Sequence, residues 1–373
     1  MIKVLTVVGT RPEIIKLSCI INKLDQNFKH ILVNTYQNSH FELNKIFFQQ
    51  MKLRKPDYNL KVTQNDKNLI IAEILKNITP ILKKEKPDVF LIYGDTNSCM
   101  TAIVAKNLKI PIFHMEAGNR SYDQRVSEEL NRKIIDHISD INIVISDVAR
   151  QNLIREGVNP EFILKSGSHM QEVFEKYQNF IDKSDILKKL KINVKKYFIV
   201  SLHRSEMVDN KDDILKIFNT LDSIAKIYKL PLIVSLHPRT EFALKKLKFV
   251  YKKNINFIKP LGFFDYTKLQ KNALCVISDS GSIFEESYLM NFKAISVRKS
   301  HERLEGMESG NIIMTGYVTK NILRSLKTII TNDFSQKIKF HDYEGGNVSQ
   351  KIVNYILSYY HKINEKNWFK NIN

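Results

Sequence analysis

At 373 residues, the chain is too long for one typical hydrophobic core and suits two domains. Its 43% hydrophobic content excludes a disordered chain, and no apolar run is long enough to cross a membrane. The net charge of +19 comes from lysines dispersed along the chain, without an aromatic–basic RNA-binding motif. We therefore expect solvated lysine-rich surfaces and neither a nucleic-acid nor a membrane partner.

The N-terminus and the cysteines bear on where the protein works. The first apolar run is short and leads directly into a charged turn, unlike a signal peptide. Cys19, Cys99 and Cys275 are far apart and odd in number, which indicates a reduced protein without a disulfide framework or a CxxC metal site. We expect a cytoplasmic protein.

Short β-rich apolar runs alternate with amphipathic helical stretches, such as 68–85 and 211–228, along almost the whole chain. A first series of predicted strands lies at 2–8, 31–35, 88–93, 111–115 and 141–145. A second series lies at 162–166, 197–202, 231–236, 255–258, 274–278 and 294–298. Apolar strands separated by helices predict parallel sheets covered on both faces, and hence an α/β fold with two Rossmann-like domains.

The boundary between the two domains is predicted near 168–195, where the lysine-rich stretch 183–196 interrupts the alternation of strands and helices. We assign 1–170 to the first domain and 171–373 to the second, with a terminal helix at 348–366 that packs back on the first. Ligands bind beyond the carboxyl ends of strands in open parallel sheets. Two such sheets facing each other would enclose a cleft, so the residues that follow each strand are the candidates for function.

The first strand is followed by GTRPE, residues 9–13. Gly9 permits a tight turn, Pro12 suits the first position of a helix, and Arg11 stands at the positive end of that helix, with Lys16 one turn on. This pattern indicates a phosphate-binding site. An ordinary strand-to-helix turn with a surface arginine is the alternative, because the motif is neither GxGxxG nor a Walker loop.

Acids follow the next strands of the first series. Asp95 in YGDTNS is either a helix cap or a catalytic carboxylate at a strand end. Glu116 in HMEAGNR closes a strand, where a buried acid is costly unless it is paired or working. Glu128 opens the following helix, four residues before Arg132, so helix stabilisation and catalysis explain it equally well.

In the second series, a histidine and then an arginine follow two consecutive strands, at His203–Arg204 and at His237–Pro238–Arg239. The repetition favours a functional over a structural role for the histidines. A zinc site is not indicated, because no further ligands appear at metal spacing. Arginine has a planar fork that matches phosphate and carboxylate. We therefore hypothesise that the arginines in or beside turns mark an anionic-ligand site: Arg11, Arg120, Arg125, Arg132, Arg204, Arg239, Arg298 and Arg303.

The motif SDSGSIFEE follows the strand predicted at 274–278. Ser280, Gly281 and Ser282 would open a helix with free amide groups, as a pyrophosphate needs. Glu286 lies one turn into that helix, well placed for sugar hydroxyls. The order of phosphate turn and then acid is typical of a nucleotide-sugar site.

Together, GTRPE, GDT, HMEAGNR, EELNR, the His203–Arg204 pair and SDSGS…EE resemble the motifs of the non-hydrolysing UDP-N-acetylhexosamine 2-epimerases, in the family's order and over most of the chain. The resemblance implies a glycosyltransferase B-like architecture with its active site between the domains. It implies that a carboxylate removes the C2 proton while UDP leaves C1, giving a 2-acetamidoglycal to which UDP adds back. It further implies no nicotinamide or metal cofactor, a homodimer, and use of the product in capsule or lipopolysaccharide polysaccharides.

The resemblance also implies a role for each matching residue. Asp95, Glu116 and Glu128 would be the catalytic carboxylates, and His203 the catalytic or phosphate-binding histidine. The residues that would bind UDP are Arg11, Lys16, Arg132, Ser280, Gly281 and Ser282. Glu286 would hold the ribose, and Tyr266 would stack on uracil, with Phe263 and Phe264 as rivals.

The branch of the family is open. HMEAGNRSYDQRV resembles the enzymes that form UDP-N-acetyl-L-fucosamine from its L-talosamine epimer, rather than the branch that interconverts UDP-GlcNAc and UDP-ManNAc. Ser127, His169 and Ser282 depart from the family's usual residues, and a serine at 282 requires a negative φ. Two alternatives remain: a hydrolysing relative, and a glycosyltransferase, which would leave the three carboxylates without a use.

Overall fold

The computed structural model describes residues 1–35, 41–64, 66–249, 255–331 and 341–370, with backbone alone at 41–45. The chain divides into two compact units, Met1–Lys176 together with His341–Asn373, and Tyr177–Phe340. Each unit is built on one parallel sheet with helices between its strands, so the predicted α/β class with two Rossmann-like domains is confirmed.

The first unit contains a seven-stranded sheet in the order β3-β2-β1-β4-β5-β6-β7. Its strands are β1 (Lys3–Val8), β2 (Lys29–Asn34), β3 (Tyr58–Asn59), β4 (Val89–Tyr93), β5 (Ile112–Met115), β6 (Ile141–Val144) and β7 (Ile163–Lys165). Every residue of β4, β5 and β6 is buried. This burial explains why these strands appear in the sequence as continuous apolar runs rather than alternating ones.

The helices of the first unit connect these strands. They are α1 (Arg11–Lys16), α2 (Ser18–Asn27), α3 (Phe41–Gln50), α4 (Lys67–Glu85), α5 (Thr101–Asn107), α6 (Ser127–Ile138), α7 (Asp147–Arg155) and the start of α8 (Met170–Asp182). Two short 3-10 turns, Asn97–Met100 and Pro160–Phe162, precede α5 and β7.

The strand predicted at 162–166 belongs to the first sheet, so its assignment to the second series was wrong. It forms β7, which pairs in parallel with β6 through Asn142 and Ile163, with α7 as the crossover helix. The pairing partner of a strand is a long-range property that a count along the chain does not contain. The edge strand β3 was not predicted, because two residues carry no period.

The end of the chain also belongs to the first unit, whereas residues 171–373 were predicted to form the second domain, with the terminal helix packing back on the first. The last helix is α17 (Val348–Trp368), and it packs against α2. Tyr355 donates to the carbonyl of Lys165 at 3.0 Å, and the backbone N–H of Ser349 donates to Glu172 at 2.8 Å. These hydrogen bonds attach the helix to the end of β7 and to α8.

The second unit contains a six-stranded sheet in the order β10-β9-β8-β11-β12-β13. Its strands are β8 (Phe198–Leu202), β9 (Leu232–Leu236), β10 (Ile255–Ile258), β11 (Cys275–Ser278), β12 (Ala294–Ser296) and β13 (Ile312–Met314). Its helices are α9 (Ile186–Lys189), α10 (Ser205–Val208), α11 (Lys211–Tyr228), α12 (Pro238–Lys246), α13 (Phe263–Asn272), α14 (Ile283–Met290), α15 (Leu304–Glu308) and α16 (Thr319–Thr331).

Both faces of the second sheet are covered. Val200 of β8 packs in one apolar cluster with Phe218 of α11, and Ile199 packs in another with Phe284 of α14. Successive strand residues point to opposite faces, so a strand buried on both sides must be apolar throughout. No described helix combines the length and apolar character needed to cross a bilayer.

Candidate active site

The motifs of the first unit meet at one edge of its sheet. GTRPE follows β1, GDT follows β4 and HMEAGNR includes the end of β5, and these three strands are neighbours in the order β1-β4-β5. The strands are parallel, so their carboxyl ends lie side by side. Asp95 and Glu116 therefore lie at the edge where open α/β sheets bind ligands.

Glu116 is contacted by a cation and a hydroxyl group. The ammonium of Lys16 lies 3.0 Å from Glu116 Oε2 and 2.9 Å from the hydroxyl oxygen of Tyr93. The Tyr93 hydroxyl donates to the same oxygen of Glu116. Lys16 and Tyr93 are both buried, at 8% and 4% exposed. The carboxylate of Glu116 is therefore held by an ion pair and a hydrogen bond to the same oxygen.

The backbone around Glu116 is unusual. Glu116 has φ 65, in the left-handed region, and Gly118 follows with φ 81. A glutamate rarely adopts such a φ, and residues held in this region cluster at functional sites. The buried carboxylate of Asp136 accepts the N–H of Gly118 at 3.1 Å. The side chain of Glu116 is thus presented from a strained turn that a buried acid supports.

Asp95 is paired with an arginine. Arg132 donates from Nε to Asp95 Oδ2 and from Nη1 to Glu129 Oε2, each at 2.7 Å. The capping role that was the alternative for Asp95 is taken by Thr96, whose side chain accepts from the N–H of Ser98. Arg132, which the resemblance assigns to UDP, thus joins two carboxylates of the first unit.

Glu128 and Glu129 differ in their surroundings although both open α6. Glu128 is half-buried and accepts a hydrogen bond from Ser127 Oγ at 3.0 Å. Glu129 is buried and accepts the N–H of Ser121 at 3.0 Å and that of Tyr122 at 3.0 Å. Burial alone would raise the pKa of Glu129, but the hydrogen bonds from Ser121 and Arg132 hold that pKa below its usual value. Glu129 therefore anchors the loop that precedes the helix.

Arg120 is not available to an anionic ligand, so the arginine hypothesis is wrong for this residue. Its side chain is fully buried, with Nη1 2.6 Å from Asp136 and with Nε and Nη2 donating to both oxygens of Glu156 at 2.8 and 2.6 Å. Asp136 also lies 2.9 Å from Nδ1 of His114. Burial would raise the pKa of Asp136, but His114 and Arg120 hold that pKa below its usual range. The network fixes both ends of HMEAGNR.

Glu13 is a buried acid that sequence reasoning overlooked. It accepts the N–H groups of Gly9 and Thr10 at 2.5 and 3.1 Å, and Thr96 Oγ1 donates to it at 2.5 Å. Burial raises its pKa to about 7, against the opposing effect of these hydrogen bonds. Glu13 therefore ties the GTRPE turn to the residue beside Asp95. Arg11 of the same turn lies with its guanidinium 4.6 Å from the centre of the Phe47 ring.

Replacing Gly118 with Ala is expected to destabilise the first unit by about 2–4 kcal/mol, because the change combines left-handed strain with overpacking. An added Cβ would lie 2.3 Å from the carbonyl oxygen of Ala149. The matched control is Gly157→Ala, since Gly157 has φ +85 but nothing within 4 Å of that position. Urea unfolding followed by the fluorescence of the single tryptophan, Trp368, measures both. Equal losses in the two variants would contradict the close approach.

In the second unit, His203 lies beside a buried acid, Asp279. The two residues follow the neighbouring strands β8 and β11. His203 Nδ1 is 3.1 Å from Asp279 Oδ1, while Asp279 Oδ2 accepts the N–H groups of His203 and Arg204, each at 2.8 Å. The other strand-end histidine, His237, lies with its ring centre 5.6 Å from that of His203. The predicted pair of histidines is therefore brought together.

The SDSGS turn begins α14. Ser280 and Ser282 share a hydrogen bond of 3.0 Å between their hydroxyl groups, and Ser282 also donates to Glu286 at 2.7 Å. Ser282 has φ -72, so the condition for a serine at this position is met. Gln270 donates to the other oxygen of Glu286 at 2.7 Å. Glu286, assigned by the resemblance to the ribose, is thereby held towards the turn.

Gly281 lies against a charged cluster. A Cβ at this position would lie 2.2 Å from Glu302 Oε1, so a larger residue would require the end of the Glu302 side chain to move. Glu302 pairs with Arg298 at 2.9 Å and approaches Arg204 at 3.7 Å. Arg303 is buried 3.8 Å from Glu285. The motif after β12 therefore places the Glu302–Arg298 ion pair beside Gly281 of the turn.

The aromatic residues of GFFDY take different positions. Tyr266 and Phe264 are half-buried and Phe263 is buried. Tyr266 packs against the apolar cluster beneath β8, whereas Phe264 stacks on Phe180 with ring centres 5.3 Å apart. The stacking of Tyr266 on uracil stays a prediction, and Phe263 and Phe264 stay the alternatives. In the described part of the chain, no three His, Cys, Asp or Glu side chains are grouped to hold a metal ion.

Comparisons with known proteins agree with the family that these motifs indicate. A family model described as UDP-N-acetylglucosamine 2-epimerase matches residues 22–357. The structure of UDP-N-acetylglucosamine 2-epimerase from Rickettsia bellii is 47% identical, with a TM-score of 0.93 and coverage of 99% of this chain and 100% of that chain.

Two further relatives differ in the sugar that they name. The UDP-GlcNAc 2-epimerase from Methanocaldococcus jannaschii, solved in complex with UDP-GlcNAc and UDP, is 34% identical, with a TM-score of 0.89 and coverage of 96% of this chain and 100% of that chain. The UDP-2,3-diacetamido-2,3-dideoxy-D-glucuronate 2-epimerase from Pseudomonas aeruginosa is 30% identical over 95% of this chain and 99% of that protein. The chain belongs to the UDP-N-acetylglucosamine 2-epimerase family, a family of isomerases, as the resemblance of its motifs predicted.

Proposed function

We propose that this chain inverts C2 of a UDP-N-acetylhexosamine without hydrolysing it. The main support is that Asp95 and Glu116 lie at the ends of neighbouring strands. Asp95 pairs with the buried Arg132, and Glu116 pairs with the buried Lys16. Carboxylates with fixed hydrogen-bond partners suit proton transfer at carbon and the stabilisation of positive charge at C1. A glycosyltransferase would have no use for them.

The reaction proceeds by anti elimination. One carboxylate takes the C2 proton, the electrons of that C–H bond form the C1–C2 double bond, and the C1–O bond breaks with its electron pair remaining on the β-phosphate of UDP. The intermediate is the 2-acetamidoglycal. Return of a proton to the opposite face of C2 and re-addition of UDP at C1 give the epimer. Asp95, Glu116 and Glu128 share the roles of base, acid and stabiliser of C1.

Arg11, Arg132, Lys16 and His203 are the cationic or proton-donating groups that we assign to the departing UDP. The amides of Ser280–Ser282 serve the diphosphate at the start of α14. Glu286 takes the ribose, and Tyr266 stacks on uracil. The hydrogen bonds that hold Glu286 to Ser282 and Gln270 support this assignment, because they present its carboxylate beside the turn. No nicotinamide or metal takes part in the proposed steps.

UDP-GlcNAc and UDP-ManNAc are the first substrates to test, because the Methanocaldococcus relative was solved with UDP-GlcNAc. The pair of UDP-N-acetyl-L-talosamine and L-fucosamine comes next, on the resemblance of HMEAGNRSYDQRV. Cys19, Cys99 and Cys275 are unpaired and buried, which suits work in the cytoplasm, where nucleotide sugars are used. We propose a homodimer on the resemblance alone.

The test is proton NMR of the purified protein in deuterium oxide, separately with UDP-GlcNAc and with UDP-N-acetyl-L-fucosamine. Loss of the C2 proton signal together with a new epimer resonance is expected for one of them, and the sugar that reacts identifies the branch. Accumulation of UDP and free amino sugar would favour the hydrolysing alternative instead. Absence of exchange with both would contradict the proposal and favour a transferase.

A further inference from the structure

We propose that Asp279 is a positioning residue that fixes the tautomer and the ring direction of His203. The catalytic consequence rests on the proposed function, whereas the tautomer itself can be measured without any reaction. Sequence reasoning passed over Asp279 because an acid between two serines at a strand end looks like an ordinary turn residue.

The backbone makes the pair rigid. Strands β8 and β11 pair in parallel with Ser201 opposite Ser278, and the N–H of Asp279 donates to the carbonyl of Ser201 at 3.2 Å. One oxygen of Asp279 accepts the N–H groups of His203 and Arg204, each at 2.8 Å. These bonds join the carboxylate to the backbone of His203 and so hold Asp279 beside the imidazole ring.

The chemistry of the two facing atoms determines the tautomer. The second oxygen of Asp279 lies 3.1 Å from His203 Nδ1. Burial would raise the pKa of Asp279, but His203 and the backbone donors hold that pKa below its usual value, so the carboxylate is ionised and can only accept. A lone pair on Nδ1 at this distance would be repelled by the negative charge of the carboxylate, whereas an N–H there is attracted to it. Nδ1 therefore carries a hydrogen.

The opposite nitrogen is then the one available for chemistry. Asp279 is fully buried while the side chain of His203 is 35% exposed, so Nε2 lies on the exposed side of the ring. With hydrogen fixed on Nδ1, Nε2 is an acceptor in the neutral ring and a donor in the imidazolium. A protonated His203 can donate from Nε2 to the β-phosphate oxygen that gains charge as C1–O breaks, and Asp279 balances the imidazolium charge. Asp–His pairs in hydrolases fix their histidines by the same physics.

The decisive variant is Asp279→Asn, because an amide keeps the shape and one acceptor. Its carbonyl can still accept the N–H groups of His203 and Arg204, whereas its NH₂ would face Nδ1 and require a lone pair there. The tautomer should therefore switch to hydrogen on Nε2. Nitrogen-15 NMR of histidine-labelled protein, at a pH where the ring is neutral, reads this directly, and the His203 signals are identified by their loss in His203→Gln.

The expected kinetic result is a fall in kcat of about 10²–10⁴-fold with UDP affinity changed much less, since the amide no longer balances the charge of the imidazolium that donates from Nε2 to the leaving phosphate. If Asp279 acts through His203, the double variant Asp279→Asn/His203→Gln should be no slower than His203→Gln alone. Losses that multiply would show an independent structural role and overturn the proposal.

The wild-type protein supplies a second measurement that does not depend on the variant folding. Its His203 should carry hydrogen on Nδ1 when neutral, and hydrogen on Nε2 would overturn the assignment. The two proposals can fail separately. If only the proposed function is wrong, His203 has the predicted tautomer but no sugar reacts.

Discussion

Replacing Glu116 with Gln should lower C2 proton exchange by about 10²–10⁴-fold, the usual contribution of a positioned acid or base. The amide cannot take a proton from carbon, yet it has the same size and its oxygen can still accept from Lys16 and Tyr93, which contact Oε2 now. The folded structure and UDP affinity should therefore change little. Deuterium incorporation at C2 and calorimetric titration with UDP measure the two properties separately.

The matched control is Glu161→Gln. Glu161 is an exposed acid that pairs with Lys362, away from the strand ends that carry Asp95 and Glu116. Its neutralisation should leave exchange unchanged. Glu116→Gln with full exchange would remove Glu116 from the catalytic set and leave its strained φ without a functional reason.

Replacing Arg120 with Met should cost about 3–5 kcal/mol of the unfolding free energy of the first unit, because it leaves the buried carboxylate of Asp136 without its arginine. Asp136 would keep the N–H of Gly118 and the ring of His114 but lose its shortest ion pair, at 2.6 Å. Methionine fills similar volume, so the loss reports charge rather than a cavity. Urea unfolding followed by Trp368 fluorescence measures it.

Arg125→Met is the control from the same motif. Arg125 has a side chain that is 71% exposed and pairs with Asp123, so its loss should cost about 1 kcal/mol or less. The pH dependence gives a further check on Arg120. The depressed pKa of Asp136 contributes stability above about pH 4, the usual Asp range, and this contribution disappears as the pH falls. The two arginine variants should therefore converge in acid, and a constant difference would contradict the ion-pair explanation.

Much of the fold could be predicted from apolar periodicity. The helix predicted at 211–228 is Lys211–Tyr228, and the strand predicted at 255–258 is Ile255–Ile258. Two short strands, Tyr58–Asn59 and Ile312–Met314, were not predicted, and the two residues of the first are too few to show any pattern. The strand at 162–166 was counted with the second series although the predicted boundary at 170 placed it in the first domain, because strand pairing is a long-range choice that a count along the chain does not show.

The candidate site divides in the same way. Asp95 and Glu116 stand out in the sequence because each acid directly follows an apolar run. The residues around them are harder to recognise. Tyr93, which contacts Glu116, looks in the sequence like the last core residue of a strand. Arg120 looks like a phosphate ligand, and only the structure shows that it pairs with carboxylates. Sequence spacing indicates which residues reach a strand end, whereas the pairing among them depends on the third dimension.

The most direct test of the proposed reaction is positional isotope exchange. UDP-GlcNAc, or the L-fucosamine substrate if that one reacts, would carry oxygen-18 in the oxygen that bridges C1 and the β-phosphate. Elimination frees that phosphate to rotate before UDP adds back, so phosphorus NMR of recovered substrate should show the label moving into non-bridging positions as the epimer forms. Epimer formed while the label stays in the bridge would contradict an account in which UDP is freed from C1 and its phosphate rotates before it adds back.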